Sequence, residues 1–407
     1  MARNWAGNLT YTGRVVTPAS VAAVQELVAG ADHVRALGSR HSFNDIADTG
    51  GLLVSLEALP PEVEVGDGTV TVTAGTRYGV LAEALREHGV ALANLASLPH
   101  ISVGGAIATG THGSGDANGS LATAVAALEV VGADGELRTI RRGDAEFAGS
   151  VVALGAIGVV TRVTLDTRPE FDLRQDVYLR VPWTPVLADL GAVLASAYSV
   201  SLFTDWTGEE IGQVWLKSAG TTPPGDLFGA PPADTQVHMI DGESAAAVTA
   251  QLGVTGPWPD RLPHFRLGFK PSAGEELQSE YLLPREAAVE AIGRLRAMSA
   301  GIAPLLQISE IRSVAGDDLW LSGAYGRDTV GLHFTWRLDP DGVGALLPDL
   351  EAALLPLGAR PHWGKCFAAT AAQLAPLYPR WTEFAELRRS ADPRGTFANA
   401  FTARVLG

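Results

Sequence analysis

Residues 94–115 read NLASLPHISVGGAIATGTHGSG. Gly104, Gly105, Gly110, Gly113 and Gly115 are interleaved there with the hydroxyls of Ser102, Thr109, Thr111 and Ser114. Glycine lets backbone approach a ligand closely, and each hydroxyl both donates and accepts. A second segment of this kind lies upstream. A partly apolar run from His33 to Leu37 reads as a strand and ends in Gly38-Ser39-Arg40-His41-Ser42-Phe43-Asn44. Consecutive backbone N–H groups in such a turn form an anion-binding concavity. Either segment alone reads as a tight turn. Together, in one αβ region, they read as a bipartite cradle for a large phosphate-bearing cofactor. No G-x-G-x-x-G of a dinucleotide-binding Rossmann unit opens the chain.

The surroundings fit small αβ units. Thr17-Pro18 is a helix-entry signal, followed by Val21, Val24, Leu27 and Val28 on one helical face. Leu52 to Leu56 reads as a strand, Val63 to Ala74 as a hairpin about Gly66-Asp67-Gly68, and Tyr78 to His88 as a helix closed by Gly89. Ala124 to Arg142 reads as two strands about Asp134-Gly135, a two-residue hairpin signal. The character changes near Arg168-Pro169. Seven of the nine tryptophans fall between there and residue 375, among strand-like runs and Pro-rich loops such as 221–232, with a helix expected from Pro284 to Ala300. The tail is expected to be helical at Trp381 to Ser390 and extended beyond.

Length and composition narrow the function. At 407 residues and 46% hydrophobic content, the chain can bury a sizeable core in two or three domains. A net charge of −15 disfavours nucleic acid, and no Lys/Arg-rich run suits an anionic membrane. The single cysteine, Cys366, excludes an intrachain disulfide and multi-Cys metal centres; no His/Asp/Glu spacing suggests another metal site. Neither a signal-peptide core nor 18 uninterrupted apolar residues is present, so a cytoplasmic protein is the expectation.

The chain resembles the vanillyl-alcohol oxidase superfamily of flavoproteins and, within it, the aldonolactone oxidase-like branch. The resemblance runs over nearly the whole length. It is carried by NWAGN (4–8), RALGSRHSFND (35–45), ASLPHIS (96–102), GTHGSG (110–115) and LGAIGVVT (154–161) in the first part. In the second part it is carried by SLFTDW (201–206), LQSEYLLPRE (277–286), SEIR (309–312), HFTW (333–336), RPHWGK (360–365) and DPRGTFANAF (392–401). It implies an α+β protein with a two-subdomain FAD-binding domain from residues 1–168, completed by the tail 376–407. A cap domain, 169–375, would lay an antiparallel sheet over the flavin. It also implies an FAD-dependent oxidase that converts the terminal primary alcohol of alditols such as xylitol and sorbitol to the aldose, passing electrons to O2 to give hydrogen peroxide. Separately, a monomer is expected, acting on a small polyol and O2. The alternatives are an aldonolactone oxidase or dehydrogenase of the same fold, and a flavin- or carbohydrate-binding protein without turnover.

Residue by residue, the resemblance assigns FAD to Gly38, Ser39, Arg40, His41, Ser42, Ser97, Ser102, Gly105, Thr109, Gly110, Thr111, His112, Gly158, Val160 and His362. His41 takes the position that is bonded covalently to the flavin ring, an attachment that raises the flavin's potential. Arg40 stands where a small residue, usually glycine, is expected; it could pair with the pyrophosphate or distort the turn. On the cap, alternation places Glu310 and Arg312 on one strand face, and His333 and Thr335 likewise. With Lys365, these converge as donors and acceptors suited to a polyol. Arg312 and Lys365 are the candidates to stabilise negative charge developing on the substrate oxygen. By resemblance they hold the C1 hydroxyl, Glu310 accepts from the C2 hydroxyl, Ser97 reaches substrate and flavin, and Thr335 positions the distal chain. His333 either accepts a proton or orients its neighbours. His100 is expected to be structural and Cys366 a small buried thiol.

Overall fold

The computed structural model describes residues 2–221, 225–269 and 275–407, so residues 222–224 of the Pro-rich loop lie outside it. Three principal sheets organise the chain. Arg14–Val16, Leu52–Ser55 and Val34–Leu37 pair in parallel, in that order. Helix Val21–Ala29 makes the crossover such pairing requires. It begins at Ser20, whose hydroxyl accepts from the Ala23 N–H at 3.2 Å, so Thr17-Pro18 lies before the cap rather than in the first turn.

The second sheet is antiparallel, in the order Val63–Val65, Thr69–Thr73, Val159–Asp166, Val125–Val131, Leu137–Arg141. The turn at Asp134-Gly135 is wider than two residues. The Gly132 N–H donates to the Glu136 carbonyl, and the Asp134 carboxylate takes the Glu136 N–H at 3.1 Å. An Asp side chain that satisfies the backbone two residues on makes the longer loop affordable.

The third sheet is antiparallel and has eight strands. Its six long strands run in the order Asp172–Pro182, Glu210–Ser218, Ser199–Thr204, Leu306–Val314, Thr329–Arg337, Glu276–Pro284. Gly256–Pro257 and Arg360–Pro361 flank them. One face is apolar. Leu332, Phe334 and Trp336 of one strand and Leu277, Tyr281 and Leu283 of the next pack under the helices Ala288–Ala297 and Pro340–Leu354. The expected helix 284–300 is thus shorter, preceded by a 3-10 turn at Arg285–Ala287. The opposite face carries the intervening polar residues, as a period of two dictates.

A separate core joins the N-terminal third to the tail. Val24, Val54, Val72 and Leu81 lie in one cluster with Phe384, Phe401 and Val405. The end of the tail is helical, Ala400–Leu406, and not extended. Asn399 caps it, exchanging hydrogen bonds with Thr402, and those two short-range bonds offset the weak helix propensity of the first turn. Among the described residues no helix is long and apolar enough to cross a membrane.

Candidate active site

Both glycine segments and the polar face of the large sheet line one cavity of about 590 Å³. The glycine segments are joined to each other first. The Ser102 N–H donates to Ser39 Oγ at 3.0 Å, and the Ser39 N–H donates to Ser102 Oγ at 3.3 Å. A Cβ on Gly38 would stand 2.6 Å from Ser102 Oγ, so only glycine permits this approach. Of the residues assigned to the cofactor, all but Gly110 line the cavity. Gly110 instead turns the chain at φ +65° between Thr109 and Thr111, whose hydroxyls meet at 3.1 Å.

His41 sits at the junction. Its ring stacks on Trp5 at 5.6 Å between centroids, which gives the N-terminal NWAGN segment a role that sequence reading left open. Burial, with His100 and Arg77 adding to it, pushes the imidazole down to about 4, so the ring is neutral at pH 7. Nδ1 is buried and has no hydrogen-bond partner among the described residues. A glycine-walled cradle and an orphaned buried imidazole nitrogen beside it fit FAD.

Arg40 adopts φ +65°, the left-handed region that explains the expectation of glycine. The turn keeps its shape nonetheless: the Arg40 carbonyl accepts from the Trp5 N–H at 2.8 Å, and the guanidinium lies 4.0 Å from Glu57. Arg40→Gly should therefore raise the unfolding free energy by about 0.5–1 kcal/mol, read from urea denaturation, without changing flavin content.

The sheet register builds the rest. Glu280 pairs with His333 and His333 with Glu310, setting three polar side chains abreast on three strands. Arg312 stands two residues from Glu310 opposite Gly331, where a Cβ would come within 3.2 Å of Glu280 Oε1. Lys365 arrives from the loop after Arg360–Pro361. Sequence reading brought Glu310, Arg312, His333, Thr335, Ser97 and Lys365 to one place, and the structure does the same. It missed the group that binds the two cations, Glu280. Its Oε1 accepts from Arg312 Nη2 at 2.8 Å and Nε at 3.2 Å; its Oε2 accepts from Lys365 Nζ at 2.6 Å. The signal was the alternation of Glu276, Gln278 and Glu280 along one face of the strand, where a glutamate is costly to bury unless paired.

Burial would raise the Glu280 carboxyl, but Arg312, Lys365 and His112 overcome it and hold it well below the usual range. Glu310 is treated the same way, burial being outweighed by Arg312 and His264. Burial lowers Lys365, with Glu280 opposing. Burial and then Lys365 push His333 down to about 4, so its ring is neutral. Lys365 donates to His333 Nδ1 at 2.6 Å, which places the ring proton on Nε2, facing Thr335 Oγ1 at 3.1 Å. With its Nδ1 lone pair already taken, His333 orients Lys365 and Thr335. Arg312 Nη1 also donates to Ser97 Oγ at 3.2 Å. His112 Nε2 lies 3.3 Å from Glu280, and His112 and His362 stand 6.0 Å apart between cradle and sheet. His100 bonds the Leu267 carbonyl at 2.8 Å, and burial pushes the Cys366 thiol up to about 11, so it stays protonated.

His264, which sequence reading did not single out, is also buried and held at about 4 by burial and then Lys217. Between pH 6.5 and 4 the unfolded chain binds protons at His264 and His333 that the folded chain does not. Their contribution to stability is full above pH 6.5 and is lost on acidification, at up to about 1.4 kcal/mol per pH unit per histidine. His333→Gln should flatten the fall in unfolding free energy across that window by about one proton. An unchanged slope would show that the ring is charged in the folded state.

A family model described as "D-arabinono-1,4-lactone oxidase" matches residues 275–405, and one described as "FAD binding domain" matches residues 12–141. An alditol oxidase of Streptomyces sp. is 47% identical, over 99% of this chain and 98% of its own. An L-gulono-1,4-lactone dehydrogenase of Mycobacterium tuberculosis is 30% identical over the same shares. The solved structure of a cholesterol oxidase from Brevibacterium sterolicum superposes with a TM-score of 0.79, covering 100% of this chain and 96% of its own, at 18% identity.

Proposed function

The chain belongs to the vanillyl-alcohol oxidase family of flavoproteins, in its aldonolactone oxidase-like branch, and from that premise we propose that it is an FAD-dependent alditol oxidase. It converts the terminal primary alcohol to the aldose and passes the electrons to O2 as hydrogen peroxide. The single observation that carries this reading is the cavity in which the glycine cradle meets Arg312, Lys365, Glu280 and Glu310. FAD, when bound, supplies the hydride acceptor.

The chain's own residues do the remaining work. The 38–42 and 102–112 segments hold the cofactor, and His41 tethers it. Arg312 and Lys365 present N–H donors to the C1 oxygen as negative charge grows there. Both are held by Glu280, so they need no reorganisation at the moment of reaction. Ser97, held by Arg312, steadies the same oxygen. Glu310 accepts from the C2 hydroxyl, and Thr335, oriented by His333, binds further along the chain.

Purified protein mixed with xylitol under air should generate hydrogen peroxide, and acid-precipitated protein should stay yellow. His41→Ala should release its flavin on precipitation. Wild type that releases all its flavin on denaturation would refute the tether but not the cradle. The match of residues 275–405 favours a second reading, oxidation of an aldono-1,4-lactone in the same site. Peroxide from such a lactone and none from xylitol would replace the first reading by the second.

A further inference from the structure

Lys217 is 1% exposed and lies outside the machinery assigned above. It stands on the Glu210–Ser218 strand, and its Nζ has three neighbours: the carbonyls of Leu262 at 2.5 Å and Pro263 at 3.2 Å, and His264 Nδ1 at 3.1 Å. An ammonium has three protons and no lone pair, so these three acceptors use it completely. His264 Nδ1 must then be the acceptor, and the ring proton sits on Nε2, which donates to Glu310 Oε1 at 2.9 Å. The imidazole is clamped edge-on by Phe203 (5.5 Å, 67°) and Trp215 (5.3 Å, 79°). Its own backbone N–H donates to the Ser97 carbonyl at 3.1 Å, so the ring is fixed with respect to the glycine cradle as well as the sheet. The other oxygen of Glu310, Oε2, has Arg312 Nη1 at 3.5 Å, and the residue lines the cavity.

We propose that Lys217 and His264 are positioning residues that commit Glu310 to receiving a substrate hydroxyl. Lys217 fixes the tautomer of His264, His264 occupies Oε1 with a donor, and Oε2 is left as an anionic acceptor. Without the ammonium, His264 Nδ1–H can turn to a freed carbonyl. Its Nε2 lone pair then faces a carboxylate, and Glu310 must rotate away or take up a proton. Either change removes the acceptor. Burial pushes Lys217 down to about 7, with Glu310 opposing, so the arrangement described holds while the amine keeps its proton.

This inference rests on the alditol reading, in which Glu310 meets the hydroxyl next to the carbon oxidised. The test uses flavin-loaded full-length enzyme and two small diols, 1,2-butanediol and 1,3-butanediol. Each has one primary alcohol, and they differ in whether the second hydroxyl is adjacent to it. Wild type should prefer the 1,2-diol. Lys217→Met and His264→Leu should each lower kcat/KM for xylitol and 1,2-butanediol tenfold or more, mostly through KM, and change that for 1,3-butanediol less than twofold. His264→Gln should keep the preference, because its amide can accept from Lys217 and donate to Glu310. In a Glu310→Gln background, His264→Leu should cost nothing further. Should Lys217→Met fail to fold, the Leu and Gln variants at 264 decide alone. Equal losses on both diols, an unchanged preference in His264→Leu, or no preference in wild type would each overturn the proposal. Absence of xylitol oxidation by wild type would instead overturn the function on which it rests.

Discussion

Lys365→Met is expected to slow anaerobic reduction of the bound flavin by saturating xylitol on the order of 10²–10³-fold, about 3–4 kcal/mol of barrier. Methionine keeps the length of the side chain and removes its charge. Lys365 is bonded at 2.6 Å to both Glu280 and His333, so its ammonium is aimed before substrate arrives. A preorganised donor favours the charge of the transition state over the neutral alcohol, so its loss must appear in the reduction step and not only in binding. Arg312→Lys should be similarly impaired. A planar fork that reaches Glu280 through two nitrogens and Ser97 through a third would be replaced by a point charge. Stopped-flow absorbance at saturating xylitol separates the two cases. Near-normal reduction in both variants would leave these residues as binding groups.

Glu280→Gln should be the more damaging change to the whole molecule. Its carboxylate is fully buried and is the counter-charge of the buried Arg312 and the largely buried Lys365. Removing one partner of a buried pair typically costs about 3–5 kcal/mol, because the charges left behind are desolvated and unpaired. Lys365 can escape by giving up its proton, since burial already lowers its affinity for one. That would remove the very charge used on the substrate oxygen. The variant should lose stability in urea denaturation and also reduce as slowly as Lys365→Met. Unfolding within 1 kcal/mol of wild type together with normal reduction would show that Glu280 is a bystander.

The amino-acid sequence by itself determined the parts governed by local rules. Glycines among hydroxyls at 38–44 and 94–115 announce close backbone approach. A period of two sends Glu310 with Arg312, and His333 with Thr335, to one face of their strands. The first long strand of the large antiparallel sheet, Asp172–Pro182, begins close to the change in composition near residue 168. Local rules failed where a few side-chain bonds override propensity, as at the Asn399 cap and the Asp134 loop.

What the tertiary structure alone decided is who stands beside whom. Alternation assigns a residue to a face but says nothing of strand order or register. Here the Leu306–Val314 strand is placed between Ser199–Thr204 and Thr329–Arg337, with Glu276–Pro284 one strand further. That order sets Glu280 beneath Arg312 and Lys365. The His264 loop, packed on the same face, puts that ring between Lys217 and Glu310. Such contacts join residues far apart in the chain, and their cost in a dry interior is met only when all partners are present. The pairing of the charges at the centre of the site is therefore a property of the folded sheet, not legible in any one of its strands.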